Sequence, residues 1–426
     1  MAAHHDVSQK DDSTSTTRPI ATSPKISRLP PGSGVFHFGA SSTPSSSTSG
    51  STPHSTSGLA SSGSSIKSIS STSTKARFST LSAAYPLKLL PPSALPSQPP
   101  TIGVIYTLAY GGGLVSGDII SLRGEVGPGC GLVMLTQGST KVYKRRGGLR
   151  PKSDYRSTSN RAHSDANGVP KQDDDMTKQR LHVTLQAGSF LLLLPDSISP
   201  FRDSKYTQIQ RFVLPQDKSA SCLILDWVNS GRGQQKQQQQ HQEKGTGTDE
   251  ERDKDKDKGK EIWSMEYYNS INEIYIGQTL IMREKMILDN SSSSSSSSIS
   301  ASSTEQQGEK AKPKPRNAED EDEGGLSKIA KTLIPYHVYA TILFTGPHLT
   351  KLMDVLKRKS DTLRQYQIKR PDDLIWSFSE INQEYGAGVI RIAAKEIEQA
   401  RDWLREVLTQ GRVGELVGEG IWPRCI

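Results

Sequence analysis

Four long low-complexity tracts interrupt this chain, and they set how much of it can bury a core. The first 78 residues are dominated by Ser, Thr, Pro and Gly. Segments at about 147–180, 232–260 and 289–327 hold, respectively, a polar charged run, glutamines followed by alternating Asp and Lys, and an eight-serine run followed by an acidic cluster. None of them has a period that buries one face, so each reads as a disordered leader or insertion. They explain why only 33% of the 426 residues are hydrophobic and why the mean hydropathy is -0.57. Setting them aside leaves roughly 240 residues, which one domain reaches with a substantial core. The expected organisation is a leader over 1–78 and a single domain over 79–426 that carries the three insertions.

Between the tracts lie short apolar or alternating runs: Ile102 to Tyr110, Ile119 to Val126, Gly131 to Thr136, Leu181 to Gln186, Phe190 to Leu194, Tyr206 to Val213, Cys222 to Val228, Ile274 to Leu288 and Tyr336 to Phe344. Gly, Pro or polar turns bound each one, the pattern of strands. The fold class is therefore mainly β, either a sandwich or a stacked, solenoid-like scaffold. Two helices are expected toward the C-terminus. His348 to Lys359 and Ala394 to Gln410 each carry one apolar stripe that packs on the β core, with Gly411 at the end of the second.

Gly111 to Lys144 reads GGGLVSGDIISLRGEVGPGCGLVMLTQGSTKVYK: a glycine cluster, a strand, a Gly-Pro-Gly turn and a second strand, in a hairpin-like unit. It is not a phosphate loop. Gly112 and Gly117 have the Walker spacing, but Asp118 stands where a lysine would reach the phosphates, and Ser116 breaks a G-x-G-x-x-G reading. A tight turn with positive φ is the expected role of the glycines. No G-x-S-x-G or H-E-x-x-H motif occurs, and the nine histidines are scattered, so the chain reads as non-catalytic. Three widely spaced cysteines fit a reducing compartment rather than a disulfide scaffold. No apolar run reaches the ~20 residues of a membrane-spanning helix. The net charge of +8 is spread out, and the one dense basic spot, Lys141 to Arg146, reads as a solvated strand end. No nucleic-acid partner is expected.

As a whole, the Gly111 to Lys144 string resembles the urease accessory protein UreD (UreH) family. LLLLPDSISPFRDSKYTQIQRFVL (Leu191 to Leu214), CLILDWVNSGRG (Cys222 to Gly233), Glu261-Ile262-Trp263, GVIRIAA (Gly388 to Ala394) and WPRCI (Trp422 to Ile426) are similar to that family's later blocks, in order. Two positions depart from the pattern, Ser197 where proline is usual and a terminal Ile where Trp is usual. The residues carrying the resemblance are Gly112, Gly113, Gly117, Thr136, Gln137, Lys141, Tyr143, Pro195, Asp196, Gly231 and Arg232. It implies a cytoplasmic, non-catalytic scaffold that binds apo-urease, a UreF-like accessory protein and, through it, a UreG-like GTPase. It also implies Ni²⁺ in transit, with no tightly bound cofactor and no stable metal site. Three carboxylates stand out because each lies in or beside an apolar strand: Asp118, Asp226 and Glu284. Unpaired burial of such groups costs several kcal/mol, so each is either paired or used, and a role lining the nickel path is the expectation. Two other classes remain open at this stage: a metal-dependent hydrolase on a β scaffold using these carboxylates, and a generic β-rich interaction protein.

Overall fold

The computed structural model describes residues 28–40, 75–144, 175–231, 261–291, 326–366, 369 and 371–426. Two β-sheets face each other. The first has seven strands in the order β15 (Thr279–Asp289), β14 (Tyr267–Ile276), β12 (Lys205–Leu214), β9 (Thr177–Leu185), β6 (Ile119–Val126), β1 (Ser33–Ala40) and β2 (Ala76–Ala83). The second has eleven. Its main path runs β17 (Leu374–Asn382), β18 (Ala387–Ala394), β16 (Val338–Thr345), β13 (Ser221–Asn229), β10 (Phe190–Leu193), β7 (Gly131–Leu135), β4 (Ile102–Ala109) and β3 (Leu87–Leu90). Three short strands join one end, β5 (Gly113–Leu114), β8 (Thr140–Val142) and β11 (Ile198–Pro200).

From β6 to β14 the long strands fall alternately in the first and second sheets. Within each sheet they pair in parallel, β6 with β9, β9 with β12 and β12 with β14 in one, β7 with β10 and β10 with β13 in the other. The scaffold is thus a flattened coil of stacked turns, closed on each side by antiparallel strands. This corrects the hairpin-like reading of Gly111 to Lys144. β6 and β7 do not pair, and the Gly127-Pro128-Gly129 turn carries the chain from one sheet to the other.

Burial follows from what covers each face. All nine residues of β13 and all five of β7 are buried, because the coil interior lies on one side and helices lie on the other. Those helices are α2 (Thr350–Tyr366) and α3 (Ile397–Gln410). Leu352, Leu356, Leu404 and Leu408 join Val133, Phe190, Leu223 and Ile342 in a core on the outer side of the second sheet. Two shorter helices, α1 (Lys328–Leu333) and α4 (Val413–Val417), complete the set, so the expected pair of helices is present with two additions. Strands of the first sheet alternate instead, as in the buried-exposed pattern of β12, since their outer face meets solvent.

Two further expectations are corrected. Ser33–Ala40 of the supposed leader forms β1, in parallel register with β6 and antiparallel with β2, and it buries Phe36 and Phe38. The apolar alternation in GVFHFGA is brief and embedded in Ser-rich sequence, which hid it. Phe36 lies opposite Gly124, where a Cβ would come within 1.9 Å of the ring. Ile274 to Leu288, read as one strand, is the hairpin of β14 and β15, turning at Gly277 with φ of +57°. The rest of the leader and most of each insertion lie outside the described residues.

Candidate functional site

The coil interior is apolar except along one line. β12 directs Tyr206, Gln208, Gln210 and Phe212 inward by strand alternation, and β14 does the same with Tyr268, Ser270, Asn272 and Ile274. Across from them, in the second sheet, stands Asp226 of β13, buried. Its Oδ2 accepts hydrogen bonds from Ser270 Oγ at 2.5 Å and Asn272 Nδ2 at 2.6 Å, and its Oδ1 accepts one from Gln208 Nε2 at 3.2 Å. The Tyr206 hydroxyl lies 2.9 Å from Gln208 Oε1 and 3.1 Å from Gln179 Oε1. Its ring stacks on Tyr268 with centroids 5.6 Å apart. Burial pushes the Asp226 carboxyl above the ordinary carboxylate range. The hydrogen bonds from Ser270, Asn272 and Gln208 oppose that rise, and the charge of Glu284 adds to it. The Tyr206 phenol is raised by its burial and then by Asp226.

A cavity of about 60 Å³ opens beside this cluster, with Gln179, Arg180, Gln208, Gln210, Asp226 and Trp227 in its wall. Most of the rest of its wall is apolar, with Leu87, Ile120, Leu122 and Met134, and a space of that size with polar groups on one side admits a few water molecules. Gln210 Oε1 and Asn272 Oδ1 are buried and have no hydrogen-bond partner among the described residues. The donor set near Asp226 is therefore carboxylate, amide and hydroxyl oxygen, ligands that suit a hydrated divalent cation held loosely. Among the described residues no three His, Cys, Asp or Glu side chains gather into a metal-binding group.

Three of the motif residues also line the cavity. Thr136 Oγ1 accepts from the Asp196 amide at 2.8 Å, Asp196 Oδ2 accepts from the Gly138 amide at 2.9 Å, and Asp196 Oδ1 receives Arg401 of α3 at 2.9 Å. The Pro195 carbonyl accepts from Trp227 Nε1 at 2.8 Å. Thr136, Pro195 and Asp196 all border the cavity. Gln137 and Lys141 are exposed, whereas Tyr143 packs edge-on against Phe201, 5.4 Å between centroids. Gly112 and Gly117 have φ of +73° and +79°, as a tight turn requires. A Cβ at Gly113 would meet the Lys141 carbonyl at 2.5 Å, and one at Gly231 the Pro200 carbonyl at 2.7 Å. Blocks far apart in sequence thus converge on one end of the coil. Arg232 lies outside the described residues.

The three singled-out carboxylates are not brought together. Asp226 alone of them borders the cavity. Asp118 closes the glycine turn, its Oδ2 accepting from the Val115 amide at 2.8 Å. Glu284 faces inward from edge strand β15 and takes a two-toothed ion pair from Arg391 of β18, at 2.9 and 2.7 Å, that ties the two sheets. Gln208, Gln210, Ser270 and Asn272 were missed from sequence. Their signal is a polar residue at alternate, core-facing positions between aromatic or aliphatic ones, as in YTQIQRF and YNSINEI.

A family model described as UreD urease accessory protein matches residues 65–249. Urease accessory protein 4 of Cryptococcus neoformans var. grubii is 52% identical over 349 residues, covering 82% of this chain and 90% of that protein. Urease accessory protein D of rice (Oryza sativa subsp. japonica) is 26% identical over 290 residues, 68% of this chain and 66% of that one. The Arabidopsis thaliana protein of the same name is 30% identical over 192 residues, 45% and 48% of the two chains. With 52% identity to one relative over 349 aligned residues that span most of both chains, and with the converging motif blocks described above, this chain belongs to the UreD urease accessory protein family.

Proposed function

We propose that this chain serves urease maturation as a non-catalytic, cytoplasmic scaffold. It binds apo-urease and UreF- and UreG-like accessory proteins, and it conducts nickel along the polar line between its sheets. Family membership supports the role in urease maturation. The observation that carries the ion path is Asp226, a buried carboxylate beside a cavity that holds a few waters, with the unpartnered amide oxygens of Gln210 and Asn272 on the same polar line. Burial favours the neutral acid. An arriving dication favours the carboxylate, so entry displaces a proton and exit restores it, which keeps the ion from being trapped. Asp118 at the glycine turn and Glu284 at the open edge stand away from this cavity; in this reading they act on ions approaching or leaving it.

The test is Asp226→Ala. Pull-down of apo-urease and the accessory proteins should match wild type, while urease activation in the same preparation falls at least several-fold. A variant that assembles and activates normally removes Asp226 from the path.

A further inference from the structure

The outer face of the seven-stranded sheet meets solvent, and across its central rows its chemistry is one-sided. Registers across β6, β9, β12, β14 and β15 align the outward residues in rows. One row reads Ser121, Arg180, Ile209, Ile271, Lys285, and the next reads Arg123, His182, Arg211, Glu273, Arg283. With Lys178 in the adjoining row, six cationic side chains face one carboxylate across these three rows, and the two outermost rows add Lys205, Glu125 and Asp289. That carboxylate is already committed. Glu273 is buried and ion-paired to Arg211 at 2.9 Å and Arg283 at 2.7 Å. Arg123, Arg180 and Lys285 are exposed and form no ion pair among the described residues. At the centre, Ile209 and Ile271 are direct cross-strand neighbours, and Ile209 is 38% exposed.

Isolated exposed isoleucines need no explanation, but a paired apolar centre inside a cationic frame on a flat sheet is the layout of an interface, apolar within and charged at the rim. Five strands and five outward rows span roughly 500 Å², of the order of the ~800 Å² per partner of a standard interface. A nucleic-acid platform of this type places aromatic rings at its centre to stack bases. Here the centre holds branched aliphatics, which cannot stack. A second copy of this face would meet it with like charge.

We propose that this face docks a partner protein whose surface is apolar at the centre and carboxylate-rich at the rim. The proposal rests on the maturation role in one respect, that the partner is a member of the urease assembly.

The experiment uses the tagged full chain co-expressed with apo-urease and the other urease accessory proteins of the same organism. Wild type should bring down its partner in a salt-sensitive manner. The double variant Arg123→Glu, Lys285→Glu should lose at least 10-fold of the bound partner while keeping the wild-type melting temperature. A charge-keeping double, Arg123→Lys, Lys285→Arg, should retain it. Lysine labelling of the wild-type assembly should protect Lys178 and Lys285 relative to the free chain, which reads the same face without any variant. A charge-reversed chain that assembles as wild type does, or lysines labelled equally in both states, overturns this proposal alone. Displacement of the partner by an RNA oligonucleotide binding the face more tightly overturns it in favour of nucleic acid. A wild-type chain that brings down no protein of the urease assembly overturns it together with the maturation role.

Discussion

Replacing Asp226 by asparagine separates what this side chain costs from what it does. Its folded-state pKa lies above the ordinary 3.8, so on raising the pH the unfolded chain releases its proton first. Stability is therefore lost as pH rises above 3.8, and goes on falling until the folded chain releases its proton as well. Asp226→Asn removes that cost and can keep the hydrogen bonds. Oδ1 still accepts from Gln208, the Ser270 hydroxyl can rotate, and the new amide can donate to Asn272 Oδ1, which has no partner now. The melting temperature at pH 7 should rise by a few degrees, the scale of a ~1 kcal/mol change in a domain this size. The gain should vanish below the ordinary carboxylate pKa; thermal melts at pH 7 and pH 3.5 check both halves. An unchanged or lower melting temperature at pH 7 would mean that the ionised form is the stable one. Asp226 was legible in sequence because a carboxylate interrupts CLILDWV. Its partners were not, since whether Ser270 or Gln208 faces the interior depends on which side the second sheet lies. Glu284 was legible as unusual for the same reason, but its partner Arg391 stands on a strand of the other sheet, and no local pattern joins them.

Strand identity was readable where an alternating run was long, as in β6 and β12, or an apolar run was continuous, as in β13, and unreadable where the signal was brief or diluted, as in β1. That strand carries a direct consequence for truncation. β1 lies between β6 and β2 and buries Phe36 at 1% and Phe38 at 2% exposure, and losing a buried Phe side chain typically costs about 3–5 kcal/mol. Removing residues 1–27 should leave the melting transition near that of the full chain, whereas removing 1–40 should abolish a cooperative transition; calorimetry of the two truncations decides. The insertion at 232–260 should behave like the shorter truncation. Its flanks already meet, the Trp263 amide donating to the Ser230 carbonyl at 2.9 Å, and loop closure cost depends only weakly on length. A short Gly/Ser replacement that melts more than a few degrees lower would show that the insertion contributes to the fold. Parallel pairing was not legible either, because a run such as FLLL is consistent with any buried strand until its neighbours are known.

As a whole, the molecule is a coil of alternating strands with one polar line inside, helices on one outer face and a cationic sheet on the other. The family was legible from ordered motif blocks, and the structure gives those blocks a shared location at one end of the coil, where Thr136, Pro195 and Asp196 wall the cavity that Asp226 reaches. Solenoid or sandwich was an open choice in sequence, since strand count and spacing are the same for both; the parallel registers select the coil. In the proposed role, loss of this chain produces a defect in metal loading rather than in urease synthesis or folding. The most direct measurement is the nickel content per urease protein purified from a strain lacking this chain, compared with its parent. The expected result is abundant urease nearly devoid of nickel and of activity, with both restored by the full-length chain. Urease carrying its normal nickel content in that strain would contradict it.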